Sequence, residues 1–143
     1  MIIRTKRINP EAIMPTRGSR QAAGYDLYSP LEVFVPPHQT IKVGIGFAME
    51  IPEGYFGGIF ARSGLSARSG LRPANCVGVI DSDYRGEIIV AVHNDSEHER
   101  RIEAGERIAQ LIVMPYLAVE FEEADELSET ARDTGGYGST GNK

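Results

Sequence analysis

The sequence contains no tryptophan and a single cysteine, Cys76, in 143 residues. One cysteine cannot form a disulfide within the chain, so we expect a protein of a reducing compartment and place it in the cytoplasm. Because Val77 adjoins it, we expect Cys76 to be a small buried apolar residue rather than a nucleophile. The 3 histidines show no zinc-binding spacing, which argues against a structural zinc site.

Positive charge and long apolar runs are also scarce. The chain has 15 Lys and Arg residues against 20 Asp and Glu, for a net charge of -5. This balance argues against general binding to nucleic acids or anionic membranes, although it allows a small basic pocket. The longest apolar run, 108–119, is too short to span a bilayer, and the first residues lack the apolar core of a secretory signal. We therefore expect neither a nucleic acid nor a membrane as a partner.

Apolar and polar residues alternate with a period of two along much of the chain. From Ile41 to Met49 every second residue is apolar, which is typical of a half-buried strand. Further apolar runs of strand length are separated by turn signals such as Pro36-Pro37. Many short strands at this spacing predict an all-β sandwich, jelly roll or barrel. One short helix is expected around 65–68, with Ser63 as its N-cap and its end near Gly70.

No linker divides the sequence into two domains. We predict a single β domain over residues 1–130 and a flexible, Gly-rich C-terminal arm over residues 131–143. Within the first part, the acidic stretch 120–129 is expected to be a solvated linker rather than a helix.

The run from Gly78 to Ile88 places two carboxylates and a phenol in a short turn between two apolar segments. Asp81 follows the apolar Val79-Ile80, and a carboxylate at the end of a rigid strand is well placed to hold a water molecule for attack. The alternative is a plain hairpin turn, in which Asp supplies local hydrogen bonds and Gly86 a positive φ.

Two segments have the composition of anion-binding sites. Arg62-Ser63-Gly64 follows a strand and offers a guanidinium, a hydroxyl and backbone amides, although it could equally be a helix start with a solvent-facing Arg. The pentapeptide Ala-Arg-Ser-Gly-Leu occurs at both 61–65 and 67–71, so spacing has to decide between them. The second segment, 132–141, combines Arg132 and hydroxyl side chains with glycines and one aromatic residue; the alternative is a disordered tail.

Two further polar residues lie in apolar surroundings. Asp26 stands at the entry to the apolar segment that continues with Leu27. Gln110 lies inside an otherwise apolar strand, where a buried amide must find hydrogen-bond partners in the protein or in a ligand.

Taken in order, these five segments resemble the five motifs of the homotrimeric deoxyuridine triphosphate nucleotidohydrolases, the dUTPases. The resemblance extends from Ala22 to Gly141. It implies a β jelly roll or distorted barrel that assembles as a homotrimer with three sites, each built from segments of all three subunits. It also implies hydrolysis of dUTP to dUMP and pyrophosphate with Mg²⁺, which limits uracil incorporation into DNA and supplies dUMP for thymidylate synthesis.

The resemblance also implies roles for individual residues. Asp81 matches the catalytic carboxylate that activates the water attacking the α-phosphorus. Tyr84 matches the residue whose ring packs under the deoxyribose and leaves no room for a 2′-hydroxyl. Asn75 and Gly78 match residues of the hairpin that binds uracil largely through backbone groups. Asp26 matches a carboxylate that contacts the metal through water.

The remaining matches concern the phosphates. Gln110 matches a residue on the α-phosphate, and the spacing from Asp81 selects Arg62 over Arg68 in the repeated pentapeptide. The other residues that match phosphate-lining or arm positions are Ser63, Gly64, Arg132, Tyr137, Gly138, Ser139 and Thr140. Asp133 departs from the family, which usually has Gly there, and brings a negative charge near the phosphates.

Two alternative hypotheses remain beside the dUTPase resemblance, and both involve the same fold. A dCTP deaminase shares the fold and nucleotide site, but its chemistry requires a different general base from the Asp-Ser-Asp-Tyr arrangement at 81–84. A non-catalytic trimer on the same fold would be expected to lack Asp81 or the arm.

Overall fold

The structure is a computed structural model, and it describes residues 1–136. Within this range the chain forms antiparallel strands and one short helix, which confirms the predicted all-β class. The elements are β1 Arg4–Arg7, β2 Tyr25–Tyr28, β3 Val33–Val35, β4 Thr40–Gly44, β5 Phe47–Glu50, β6 Tyr55–Phe60, α1 Ser63–Ser69, β7 Leu71–Pro73, β8 Val77–Ile80, β9 Ile89–Asn94, β10 Arg100–Ile102 and β11 Arg107–Pro115.

Two sheets carry most of the fold. One has four strands in the order β2-β11-β6-β8, the other has three in the order β4-β9-β7, and the strand pairs β1-β5 and β10-β3 complete the structure. The inward residues of both sheets meet in one core, which includes Ile59 and Leu111 from the first sheet and Val43 and Val90 from the second. The result is a distorted jelly roll.

The alternation from Ile41 to Met49 produces two strands rather than the single strand predicted. Gly46 has a φ of 75°, a left-handed conformation that ends β4 and lets the chain begin β5 in a different sheet. Apolar alternation continues across this break because Ile45 and Phe47 are buried on both sides of it.

The helix α1 begins two residues earlier than predicted. Ser63 is its first helical residue rather than its N-cap; Arg62 occupies the N-cap with extended φ and ψ, and no side chain caps the helix. The predicted end is correct, because Gly70 adopts a φ of 68° and its N–H donates to the Ser66 carbonyl. Leu65 is the buried residue that attaches the helix to the core.

The prediction that Cys76 is buried is wrong. Cys76 is exposed, with a φ of 59°, in the turn that joins β7 to β8. Turns between strands lie at the surface, and the apolar Val77 beside it is itself 39% exposed, so it does not draw Cys76 inside.

The stretch 120–129 contains neither helix nor strand and is exposed, as expected for a linker. Among residues 1–136 no helix is both long and apolar enough to cross a membrane.

Candidate functional site

Strand register brings three of the predicted site residues together at one end of the four-stranded sheet. Gln110 of β11 lies opposite Asp26 of β2 on one side and opposite Phe60 of β6 on the other. Since β6 ends at Phe60, Arg62 emerges beside Gln110 and Asp26. These residues line an open groove of about 360 Å³, called here the arginine groove, whose polar lining is Asp26, Arg62, Ser63, Arg107 and Gln110, with Gly64 at its edge.

Asp26 is the carboxylate of the arginine groove, and two guanidinium groups bind it. Its Oδ1 accepts a hydrogen bond from Arg62 Nε at 2.8 Å, and its Oδ2 accepts one from Arg107 Nη1 at 3.2 Å. The Asp26 side chain is only 14% exposed and that of Arg62 25%, so the first pair is largely removed from water. The groove therefore has an excess of positive charge and a fixed orientation of Arg62.

Gln110 finds a partner for its amide, as expected of a half-buried glutamine. Its Nε2 donates to the Ala61 carbonyl at 2.9 Å. Gly24 makes room for the amide, because a Cβ at position 24 would lie 3.2 Å from Gln110 Cδ and nearer still to Oε1. The side chain is thus held beside the start of the Arg62-Ser63-Gly64 segment.

Asp81 lies in the turn between β8 and β9, residues 81–88, called here the acidic turn. Asp81 and Tyr84 are both exposed. The Tyr84 hydroxyl donates to the Glu87 carbonyl at 3.0 Å, and its ring lies across Gly86, where a Cβ would be 2.5 Å from Cζ. Arg85 fixes the first half of the turn, since its Nη1 donates to the Ser82 carbonyl at 2.6 Å and to the Tyr84 carbonyl at 3.0 Å.

The acidic turn borders a separate and larger groove of about 790 Å³. Phe56, Val79 and Tyr116 give it an apolar wall, and Asp81, Asp83 and Arg85 give it a polar one. The exposed Asp81 carboxylate therefore faces open space next to apolar surface.

Within one chain, the arginine groove and the acidic turn lie at opposite ends of the same strand pair. Gly57 of β6 faces Ile80 of β8, and Phe60 faces Val77. Asp81 therefore follows β8 at the Gly57 end, whereas Arg62 follows β6 at the Phe60 end. At about 3.4 Å per residue, this places the two segments roughly 17–20 Å apart along the strands.

Asn75 and Gly78 lie on a hairpin that splits open. The hairpin is closed near its base, where Ala74 N donates to the Ala91 carbonyl at 2.7 Å, but β8 then pairs with β6 while β9 pairs with β4. In the part of the chain that the structure describes, no strand pairs with the outer edge of β8. The split leaves backbone N–H and C=O groups unpaired along β8, with Asn75 at one end and Asp81 at the other.

Arg132 lies in the C-terminal segment and is not among the residues that line either groove. Its Nε donates to the Gly135 carbonyl at 2.7 Å within a local turn. Tyr137, Gly138, Ser139 and Thr140, the other predicted arm residues, lie outside the described residues.

Arg107 belongs to the arginine groove and was missed by the sequence analysis. Arg107 and Gln110 are three residues apart, so a regular strand would place them on opposite faces. A bulge between Arg107 and Ala109 removes one step from the register: Arg107 faces Tyr28 and Gln110 faces Asp26, which are two residues apart on β2. Both side chains therefore reach the same groove, and only the break in alternation near Ile108 could have signalled it.

The fold and the two grooves define a jelly-roll protein with a groove lined by two arginines and a separate turn that carries exposed carboxylates. The model of the dUTPase family matches residues 10–141, and the chain belongs to this family. It is 43% identical to the deoxyuridine 5'-triphosphate nucleotidohydrolase of Nautilia profundicola over 99% of both chains, and 45% identical to that of a Hydrogenobaculum species over the full length of both. Among solved structures it resembles a mutant dUTPase of Staphylococcus bacteriophage 80alpha with dUpNHpp, at a TM-score of 0.92, 30% identity and 98% coverage of each chain.

Proposed function

We propose that the protein hydrolyses dUTP to dUMP and pyrophosphate through attack of water on the α-phosphorus. The observation that carries the proposal is that one fold contains both the arginine groove, which holds Gln110, and an exposed Asp81 at the end of a split hairpin. Family membership and relatives of the same length that carry the dUTP nucleotidohydrolase name support it.

The arginine groove binds the phosphates. Arg62 and Arg107 contribute two positive charges against the single negative charge of Asp26, so the groove attracts an anion while Asp26 keeps both guanidinium groups in place. Ser63 and Gly64 offer a hydroxyl and backbone amides at the groove edge. The Gln110 amide contacts the α-phosphate.

The split hairpin binds the nucleoside. Free N–H and C=O groups along β8 pair with the edge of uracil, and cytosine, whose pattern at position 4 is reversed, leaves them unpaired. Asn75 closes the base pocket, and the exposed ring of Tyr84 lies under the deoxyribose and excludes a 2′-hydroxyl. Gly78 leaves little room for a side chain, because a Cβ there would lie 3.2 Å from Ile59 Cβ and 3.3 Å from Asn75 Nδ2.

Asp81 acts as the general base. As an exposed carboxylate at the end of β8 it holds the attacking water, accepts a proton from it and directs the oxygen at the α-phosphorus. Pyrophosphate leaves on the opposite side, where Arg62 stabilises its charge.

These roles require more than one copy of the chain. Asp81 must lie within contact distance of a water at the α-phosphate, whereas Gln110 of the same chain is at the far end of the sheet. A homotrimer resolves this, with the acidic turn of one subunit over the arginine groove of the next. Residues 131–143 form the arm that closes over the bound nucleotide, and its Arg132, Tyr137, Gly138, Ser139 and Thr140 contact uracil and the distal phosphates.

Magnesium enters as part of the substrate. Among residues 1–136 no group of three or more His, Cys, Asp or Glu side chains could hold a metal ion, and Asp26 is already bound by two guanidinium groups. A triphosphate can chelate Mg²⁺ largely by itself, so Asp26 would hold the bound ion only through a water molecule, accepted on a lone pair that the two guanidinium groups leave free, and the ion would neutralise charge on the phosphates.

The proposal is tested by pyrophosphate release from dUTP, dCTP, dTTP and UTP, with Mg²⁺ and with EDTA. We expect release from dUTP only, and a fall of at least ~10²-fold when Asp81 is replaced by Asn, with binding retained. Conversion of dCTP to a uracil nucleotide would replace the proposal with a deaminase. Binding without any release would replace it with a non-catalytic protein.

A further inference from the structure

We infer that Arg85 is a positioning residue that sets the sugar selectivity of the site by holding the backbone around Tyr84. Arg85 directly follows Tyr84 in the acidic turn, and its side chain folds back over the residues before it. None of the roles proposed above uses this side chain. Its guanidinium binds carbonyl oxygens of the turn rather than a carboxylate of the turn.

One nitrogen of Arg85 binds two carbonyl groups. Its Nη1 donates to the Ser82 carbonyl at 2.6 Å and to the Tyr84 carbonyl at 3.0 Å, and a charged donor makes a stronger hydrogen bond than a neutral one. Each carbonyl belongs to a planar peptide unit, so a bond to the oxygen also orients the N–H that follows it. Arg85 therefore holds two peptide units, the one between Ser82 and Asp83 and the one between Tyr84 and Arg85 itself.

These two peptide units have no second support. In the described part of the chain, no other hydrogen bond reaches either of them. The unit between them, which joins Asp83 to Tyr84, is held by the backbone bond from Tyr84 N to the Asp81 carbonyl at 3.2 Å. Loss of the guanidinium therefore leaves the unit that follows Tyr84 without a partner.

The released unit bears on the Tyr84 ring. The ring lies across Gly86, where a Cβ would be 2.5 Å from Tyr84 Cζ. Its hydroxyl end stays in place, because the Glu87 carbonyl that accepts from it shares a peptide unit with Ile88 N, which donates to the Phe47 carbonyl at 2.9 Å. The Cα end is then held by the backbone bond of Tyr84 N alone. A ring that is fixed mainly at its hydroxyl end can swing aside for a 2′-hydroxyl.

Glu50 of β5 faces the guanidinium from the other side. Its Oε1 lies 3.9 Å from Arg85 Nη2, and its Oε2 pairs with Arg4 Nε at 2.5 Å. The Arg85 side chain is 53% exposed and that of Glu50 40%, so water screens the longer contact. We therefore expect Glu50→Gln to change the selectivity by less than about twofold.

The inference rests on the proposed function, in which the Tyr84 ring lies under the deoxyribose. We expect Arg85→Ala to lower the ratio of kcat/KM for dUTP to kcat/KM for UTP by about fivefold to tenfold, the effect of about one net hydrogen bond. Both substrates carry the same triphosphate, so any effect of the lost positive charge on the phosphates cancels in this ratio. Arg101→Ala is the matched control and should keep the ratio, because its side chain is 55% exposed and forms an ion pair with Glu32 instead of holding the acidic turn.

Hydrogen exchange tests the same contact without any substrate. The Tyr84 amide closes the turn that Arg85 holds, so NMR should show its exchange to be about fivefold to tenfold faster in Arg85→Ala. The Ile88 amide, bound to the Phe47 carbonyl, should exchange as in the wild type. The variant should fold, because the strands on either side of the acidic turn remain paired, β8 with β6 and β9 with β4.

The two hypotheses fail in different ways. If the wild-type protein does not hydrolyse dUTP, the proposed function is wrong, while the exchange of the Tyr84 amide still tests whether Arg85 holds the turn. If it does hydrolyse dUTP, and Arg85→Ala keeps the wild-type ratio or the wild-type exchange of Tyr84, the role of Arg85 is wrong and the proposed function stands. An equal loss of kcat/KM for both nucleotides would overturn that role as well.

Discussion

Replacing Asp26 by asparagine tests how the arginine groove is held together. Asparagine keeps the shape of the side chain and one acceptor oxygen, but it removes the negative charge between Arg62 and Arg107. We expect the variant to fold, to melt at a lower temperature and to bind dUTP with less defined positions of the two guanidinium groups.

The magnitude follows from the two contacts. The Arg62 pair is 2.8 Å long and mostly buried, and a charged hydrogen bond is about twice as strong as a neutral one, so its replacement costs ~1 kcal/mol. The Arg107 side chain is 49% exposed, and an exposed pair is worth ~0–1 kcal/mol. The sum of about 1–2 kcal/mol corresponds to a fall of about 3–6 °C in the melting temperature for a chain of this size.

Calorimetry measures this fall in melting temperature. It is applied to the wild type, to Asp26→Asn and to a control variant, Asp125→Asn. Asp125 is exposed and lies in the linker, so its replacement should shift the melting temperature by less than ~1 °C. A melting temperature for Asp26→Asn that matches the wild type would refute the reasoning, because it would mean that the ion pairs in the groove contribute nothing to stability.

Two further predictions concern single contacts. Gly24→Ala should displace the Gln110 amide and lower kcat/KM for dUTP about tenfold, with no additional loss in a Gln110→Ala background; equal losses in both backgrounds would contradict this. The hydrogen bond from Arg72 holds the pKa of the Asp95 carboxyl below its ordinary value of 3.8. Because the folded pKa is the lower one, the pair stabilises the protein above pH 3.8 and this contribution is lost as the pH falls through the folded pKa. The melting temperatures of the wild type and Asp95→Asn should therefore differ at neutral pH and converge in acid; a gap that is unchanged by pH would argue against the pair.

The sequence predicts the fold class well because the alternation of apolar and polar residues reports which face of a strand is buried. The prediction fails where the backbone leaves regular strand geometry. The left-handed φ of Gly46 divides one expected strand into two, and Cys76 is exposed because it lies in a turn, which its apolar neighbour does not reveal.

The same limit applies to the candidate site. Gln110 is visible in the sequence as an amide among apolar residues, and its groove position follows from regular pairing with Asp26. The groove position of Arg107 could not be predicted, because a bulge in β11 brings its side chain to the same face as Gln110.

The separation between the acidic turn and the arginine groove predicts that no chain forms an active site alone. This is tested by mixing Asp81→Asn, which keeps the groove, with Arg62→Ala, which keeps the acidic turn. Each variant alone should be nearly inactive towards dUTP. In randomly assembled mixed trimers about a quarter of the sites combine an intact groove with an intact turn, so the mixture should recover about a quarter of the wild-type rate. A mixture no more active than the average of the two variants would contradict the shared site.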